Sequence, residues 1–197
     1  MTRLGWAILV VIILMAAAFA SMTSFGAADR TGVKTVASVP PVATTGLLTI
    51  PVAGVPRSAI VESWGDARGG GTRGHHGNDI MAPSGTAVVA AAAGRIEKLY
   101  QSGLGGTTLY IRTADGGWVH YYAHLAGYAP GIAEGQAVRA GQQIAYVGDT
   151  GDAGPGNYHL HFGVQRMRAG ESWWQGEDVD PYPLLTGHGV AGIAAPR

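Results

Sequence analysis

Two histidine-containing stretches carry most of the chemical information in this sequence: Arg-Gly-His-His-Gly-Asn-Asp-Ile at residues 73–80 and Tyr-His-Leu-His-Phe at residues 158–162. The first contains His75 and Asp79 in a glycine-rich setting, and the second contains two histidines at spacing i, i+2. Because side chains alternate between the faces of a β-strand, these two histidines point the same way. Imidazoles and a carboxylate that converge from separate segments suit a divalent metal ion, zinc first. Three protein ligands leave a fourth position for water, which is typical of a catalytic zinc site.

The first stretch is predicted to form a turn that brings its two polar side chains together. Gly77 lies between His75 and Asp79, and its freedom of backbone conformation lets both side chains reach one ion. The alternative is that His75 and His76 are exposed loop histidines and that Asp79 caps a turn.

A third segment, Trp-Val-His-Tyr-Tyr-Ala-His at residues 118–124, lies between these two stretches. Regular alternation would place Trp118, His120, Tyr122 and His124 on one strand face. We expect His120 to be a surface histidine. Tyr122 is expected to orient His124 or the substrate, with ordinary packing as the alternative. For His124 the alternative is a buried histidine held by a hydrogen bond.

Length, charge and composition exclude several classes of protein. The 197 residues are enough for one domain with a substantial core plus appendages. Lysine plus arginine and aspartate plus glutamate number 13 each, so the net charge is zero with neutral histidines. This balance argues against a nucleic-acid-binding protein. The chain has no cysteine, which excludes disulfides and thiol chemistry.

Short alternating segments separated by glycine-rich turns predict the fold. No long stretch after residue 46 keeps a helical period, so the pattern predicts an all-β, antiparallel domain. Residues 166–185 are expected to form a closing loop packed on the domain. The predicted strands are at residues 87–93, 95–100, 107–112, 118–125, 142–147 and 159–165.

The N-terminal segment is predicted to be a signal peptide or a membrane anchor. After Arg3, residues 4–28 carry no charge, which is long enough for a bilayer span of about 20 residues. Ala-Phe-Ala at residues 18–20 also fits a signal-peptidase cleavage site. Both interpretations place the domain outside the cytoplasm, in the periplasm or cell envelope. The predicted segments are residues 1–26 (signal peptide or anchor), 27–46 (flexible linker), 47–185 (zinc peptidase domain) and 186–197 (tail).

Together the three motifs resemble those of the lysostaphin-like zinc peptidases, which cut the peptide part of bacterial peptidoglycan. The similarity covers residues 47–185. It implies a two-sheet, sandwich-like β architecture with the metal in a groove over one sheet. The matching motifs are His75-x-Gly77-x-Asp79, Tyr122-Ala123-His124-Leu125 and His159-Leu160-His161, and the matching spacers are Ala82-Pro83-x-Gly85-Thr86, Gly135-Gln136-x-Val138 and Gly148-Asp149-Thr150-Gly151.

The resemblance also implies roles for individual residues. His124 and His159 are implied as catalytic partners, because the family pattern leaves them outside the metal shell. Arg73 is expected to reach a substrate carboxylate, with a solvated loop charge as the alternative, and Asn157 to line the groove. The implied ligands of one Zn²⁺ per chain are His75, Asp79 and His161.

The predicted function is therefore an exported zinc metalloendopeptidase that hydrolyses peptidoglycan cross-links or stem peptides, with inner-membrane anchoring as one way of holding it at the wall. No His-Glu-x-x-His helix is present to supply a glutamate base, so histidine would move the proton. The alternative is a non-catalytic wall-binding or activator module that regulates other cell-wall hydrolases, since some family members have lost ligands. Every motif position is occupied here, which favours the enzyme. A zinc transport or storage protein would usually show more histidine or acidic clustering.

Overall fold

The computed structural model describes residues 47–188, which form a β-rich domain. The expectations for the signal peptide or anchor, the linker and most of the tail fall on residues 1–46 and 189–197, outside the described part. Within residues 47–188 no helix is long and apolar enough to span a membrane. The elements are β1 (Ala67–Arg68), β2 (Arg73–Gly74), β3 (Asn78–Met81), β4 (Ala87–Val89), β5 (Gly94–Ser102), β6 (Gly106–Thr113), β7 (Trp118–Tyr128), β8 (Ala137–Val138), β9 (Gln143–Val147), β10 (His159–Arg166), β11 (Glu177–Val179) and the α-helix α1 (Tyr182–Thr186), with 3-10 turns at Arg57–Ala59, Gly69–Gly71 and Gly151–Ala153.

All the strand pairings among the described residues are antiparallel, so the prediction of an all-β, antiparallel domain is confirmed. The main sheet follows the order β11-β10-β7-β6-β5-β8, and β3 pairs with β10. The β4–β9 pair joins the main sheet where β9 pairs with the last part of β7. β1 and β2 form a separate two-stranded sheet. Strand β7 therefore changes its neighbour along its length, from β10 to β9.

One hydrophobic cluster holds these strands together. Its buried members come from β3 to β10 and from the segments before β1 and after β11. The described ends also meet, because the Leu48 N–H donates to the Leu184 carbonyl at 2.9 Å. The expected closing loop instead contains β11 and α1; α1 follows Pro181 and ends at Gly187, whose φ of 83° is the left-handed conformation that glycine adopts easily. The largest fully buried side chains include Tyr122, Phe162, Ile96, Leu109, Ile111, Leu125, Ile144, Leu160 and Leu185.

The structure overturns two expectations about side chains of β7. His120 and Tyr122 are 2% and 0% exposed, so both lie in the core and His120 is not a surface histidine. The Tyr122 hydroxyl accepts a hydrogen bond from the Ala91 N–H at 2.9 Å, so Tyr122 contacts neither substrate groove nor His124. The pairing of β6 with β7 shifts register near His124, whose φ is +59°. An extra residue in one strand turns the following side chains to the other face, which is why His124 does not follow Tyr122 into the core.

His120 makes folding stability dependent on pH. Burial lowers its pKa from 6.5 to about 4, against a smaller raising effect of Asp115. The unfolded chain therefore takes up a proton on this residue at a higher pH than the folded chain does, so stability is lost as the pH falls from about 7 to 4. A difference of two to three units between the unfolded and folded pKa values of His120 corresponds to about 3 kcal/mol in the free energy of unfolding.

We predict that His120→Leu removes this part of the acid sensitivity. The free energy of unfolding of the wild-type protein should fall between pH 7 and pH 4 by about 3 kcal/mol more than that of the variant. Urea denaturation of both proteins at the two pH values, in a chelator to keep them metal-free, measures the difference. An equal fall in both proteins would show that folding does not lower the pKa of His120.

Candidate metal centre and groove

Three polar side chains from two strands and a loop converge in one cluster: His75, Asp79 and His161. Asp79 and His161 are direct cross-strand partners in the β3–β10 pair, and His75 follows β2. His75 Nε2 lies 3.0 Å from Asp79 Oδ1, and His161 Nδ1 lies 3.1 Å from the same oxygen. The two imidazole nitrogens are 2.8 Å apart. Each residue thus presents one potential metal-ligand atom to a common point.

The segment directly before β1 fixes the orientation of His75. Its Nδ1 lies 2.6 Å from the Ser63 carbonyl oxygen, so Nδ1 donates and Nε2 faces the cluster with a free lone pair. The His75 backbone is held as well, since its N–H donates to Asp66 and its carbonyl accepts from Gly65, each at 2.9 Å. The Ser63 hydroxyl also accepts from the Asp79 N–H at 3.0 Å. A partner on the outer nitrogen is the usual support of a metal-binding histidine.

This donor set fits a zinc ion. Neighbouring donors of a tetrahedral zinc ion with bonds of about 2.0–2.1 Å lie roughly 3.3 Å apart, and the three atoms here lie 2.8–3.1 Å apart. Only a few tenths of an ångström of movement would open the triangle enough for the ion. Two imidazoles and one carboxylate leave a fourth position open, as in catalytic zinc sites.

Asp79 is held as a carboxylate between several donors. Burial raises the pKa of Asp79, but the contacts of its carboxylate with the imidazoles of His161 and His75 lower it by more, and the pKa stays well below its usual value. Its second oxygen, Oδ2, accepts a hydrogen bond from Arg68 Nη2 at 2.7 Å. Burial lowers the pKa of His161, against the raising effect of its hydrogen bond with Asp79.

His124 and His159 lie beside the cluster, with ring centroids 4.8 Å apart. His124 Nδ1 lies 2.8 Å from the Thr150 carbonyl oxygen, and His159 Nδ1 lies 2.8 Å from the Asn157 carbonyl oxygen. Each Nδ1 therefore donates to a carbonyl, which leaves each Nε2 free to accept a proton. Burial lowers the pKa of His124, with the Thr150 hydrogen bond opposing it, so this imidazole stays neutral at pH 7.

The cluster opens into a groove of about 600 Å³. Arg73 and Asn157 line the groove, and the Arg73 guanidinium pairs with the carboxylate of Asp152, another lining residue. Met81 and Leu104 are apolar side chains in the wall that remain largely exposed. The groove thus combines the polar cluster with two exposed apolar side chains.

Several residues of this site were missed from the sequence. Ser63 lies in an irregular segment and Arg68 in the two-residue strand β1, and neither belongs to a sequence motif, so only their long-range contacts identify them. Tyr121 was missed because regular alternation assigns it to the opposite face from His124. In the structure it lines the groove, and its ring centroid lies 5.6 Å from that of His161.

A comparison with known protein families assigns the domain. The model of peptidase family M23 matches residues 73–181, more than half of the chain. The chain belongs to peptidase family M23. The resemblance to lysostaphin-like peptidases is confirmed.

Curated relatives in this family have more than one role. The L-Ala–D-Glu endopeptidase of Bacillus subtilis is 40% identical over 129 residues, 62% of this chain and 38% of the relative. The murein hydrolase activator NlpD of Salmonella typhimurium is 30% identical over 126 residues, 64% of this chain and 29% of the relative. The chain thus spans less than two fifths of either relative, and the family likeness concerns the M23 domain.

Solved structures agree with the fold. The catalytic domain of lysostaphin from Staphylococcus simulans is similar with a TM-score of 0.54 and 29% identity, over 66% of this chain and 94% of that domain. A zinc-containing peptidase from Vibrio cholerae is similar with a TM-score of 0.56 and 25% identity, over 70% of this chain and 39% of that one.

The space left by Gly77 generates a prediction about the cluster. A Cβ atom at this position would lie 2.6 Å from His161 Cε1 and Nε2 and 2.9 Å from the Phe162 carbonyl oxygen. The φ of Gly77 is not in the left-handed region, so close approach of the imidazole, rather than a turn, requires glycine here. This corrects the expectation that Gly77 bends the backbone.

We predict that Gly77→Ala displaces the His161 ring and weakens zinc binding roughly tenfold or more, as loss of a supporting contact does at metal sites. Gly74→Ala is the matched control, because its new Cβ would meet only His76 atoms at 3.8–3.9 Å. Titration against a chromophoric chelator measures both affinities. Equal zinc affinity in the two variants would show that a side chain at residue 77 does not disturb zinc binding through the His161 ring.

Proposed function

We propose that this chain is an exported zinc metalloendopeptidase that hydrolyses peptide bonds in peptidoglycan cross-links or stem peptides. The observation that carries the proposal is the convergence of two groups of side chains in one groove. One group is the cluster of His75, Asp79 and His161. The other is the imidazole pair of His124 and His159, whose Nε2 atoms are free.

The metal-holding role falls to His75 Nε2, Asp79 Oδ1 and His161 Nδ1. Zinc bound there would polarise the scissile carbonyl and lower the pKa of a water molecule, so that hydroxide is available at neutral pH. The oxidation state of zinc does not change in such chemistry, and the donor set of nitrogen and oxygen suits it.

His124 and His159 are proposed to move protons. Hydrolysis of a peptide bond requires one group to accept a proton from water and one to deliver a proton to the leaving amine. A neutral imidazole with a fixed Nδ1 proton accepts at Nε2 and returns the proton from the same atom. His159 Nε2 also lies 3.8 Å from Asp79 Oδ1, which places it at the edge of the cluster.

The substrate class follows from the groove and from the relatives. Arg73 and Asn157 line the groove and are proposed contacts of the peptide. A relative named an L-Ala–D-Glu endopeptidase supports a peptide of the cell wall as substrate. Such a substrate lies outside the cytoplasm, in agreement with the proposed signal peptide or anchor at residues 1–26.

The likeness to the activator NlpD favours a second candidate, a module that binds the wall and regulates other hydrolases. An activator needs neither a metal shell nor proton-transfer groups. All five of these side chains are present here and brought together. We therefore prefer the enzyme.

The decisive prediction separates metal ligands from catalytic histidines. Asp79→Ala and His161→Ala should each abolish stoichiometric zinc binding, because only two of the three protein ligands would remain. His124→Ala and His159→Ala should keep most of the zinc but lose wall hydrolysis by roughly 10²–10⁴-fold, the usual contribution of a general acid or base. Atomic spectroscopy measures zinc content, and mass analysis of fragments released from purified walls measures activity.

His76→Ala serves as the control, because this exposed side chain pairs with Asp178 outside the cluster and should affect neither measurement. If His159→Ala emptied the site while His161→Ala kept its zinc, the assignments of these two residues would be reversed. If the zinc-loaded wild-type protein released no fragments from any wall, the activator would be the better interpretation.

A further inference from the structure

The two oxygens of Asp79 have different partners. Oδ1 faces the cluster, 3.0 Å from His75 Nε2 and 3.1 Å from His161 Nδ1. Oδ2 points away from it and accepts a hydrogen bond from Arg68 Nη2 at 2.7 Å. An arginine–carboxylate contact of this length is a charge-assisted hydrogen bond.

The fold delivers Arg68 to this position through a small hairpin. β1 pairs with β2, with Arg68 opposite Arg73, and His75 follows directly after β2. The same hairpin is tied to His75 by the backbone hydrogen bonds of Gly65 and Asp66. One structural unit thus holds both His75 and the guanidinium that contacts Asp79.

The ion pair is more than a surface contact. The side chains of Arg68 and Asp79 are only 30% and 20% exposed. Exposed ion pairs contribute little to stability, whereas a partly buried carboxylate keeps a fixed orientation when each oxygen has its own donor. Arg68 lies 3.9 Å from Asp66, so its short contact is with Asp79.

We infer that Arg68 is a positioning residue that holds Asp79 in the rotamer that presents only Oδ1 to zinc. The inference rests on the proposed zinc site. Without Arg68 the carboxylate is free to rotate about its terminal bond and to offer either oxygen, so ordering it becomes part of the cost of binding the ion. Partners in the outer shell of a metal site typically contribute 10–100-fold in affinity.

The test measures zinc affinity rather than activity. Arg68→Met keeps the apolar stem but removes the charge and the donor, and zinc should bind 10–100-fold more weakly. Only one guanidinium nitrogen of Arg68 contacts Asp79, and the lysine in Arg68→Lys can replace that one positively charged donor. The zinc affinity of Arg68→Lys should therefore lie within a fewfold of that of the wild-type protein. Arg168→Ala is the control. Arg168 is largely exposed and pairs with Glu171, so this variant should bind zinc as tightly as the wild-type protein.

Competition with a chromophoric chelator gives the dissociation constant of each variant, and circular dichroism of the metal-free proteins confirms that they are folded. Arg68→Met with the affinity of wild type would overturn the inference, as would Arg68→Lys binding as weakly as Arg68→Met. If Arg68→Met did not fold, the comparison of Arg68→Lys with wild type would decide, because a loss of tenfold or more there contradicts the expected rescue. A wild-type protein that takes up no zinc would overturn the zinc site itself, and with it the role of Arg68.

Discussion

The pairing register of β3 with β10 is the constraint on which the rest of the site depends. It places Asp79 directly opposite His161, and it leaves His159 opposite Met81 on the same face of β10. A slip of one residue would turn every side chain of a strand to the other face. The candidate ligands would then enter the core, and apolar side chains would enter the groove.

The core enforces this register. Leu160 and Phe162 alternate with the two histidines of β10 and are fully buried, as is Ile80 next to Asp79. Burying a large apolar side chain stabilises the fold by about 1.5–3 kcal/mol, so each of these residues opposes a slip. Packing on one face of the strand thus positions the chemistry on the other.

The sequence predicts the parts of this arrangement that follow from strand alternation. The shared face of His159 and His161, the burial of Leu160 and Phe162, and most strand positions follow from period-two patterns. The positions of Tyr122 and His124 do not, because a bulge breaks the alternation between them. The contact between Arg68 and Asp79 depends on a hairpin that lacks an alternating pattern, so only the tertiary structure shows it.

The central claim is that His75, Asp79 and His161 together hold one zinc ion. A crystal structure of the zinc-loaded protein, with data collected on both sides of the zinc absorption edge, tests it most directly. We expect one strong anomalous peak bonded to His75 Nε2, Asp79 Oδ1 and His161 Nδ1. The absence of a peak at the cluster, or a peak bonded to His124 or His159 in place of one of these residues, would contradict the claim.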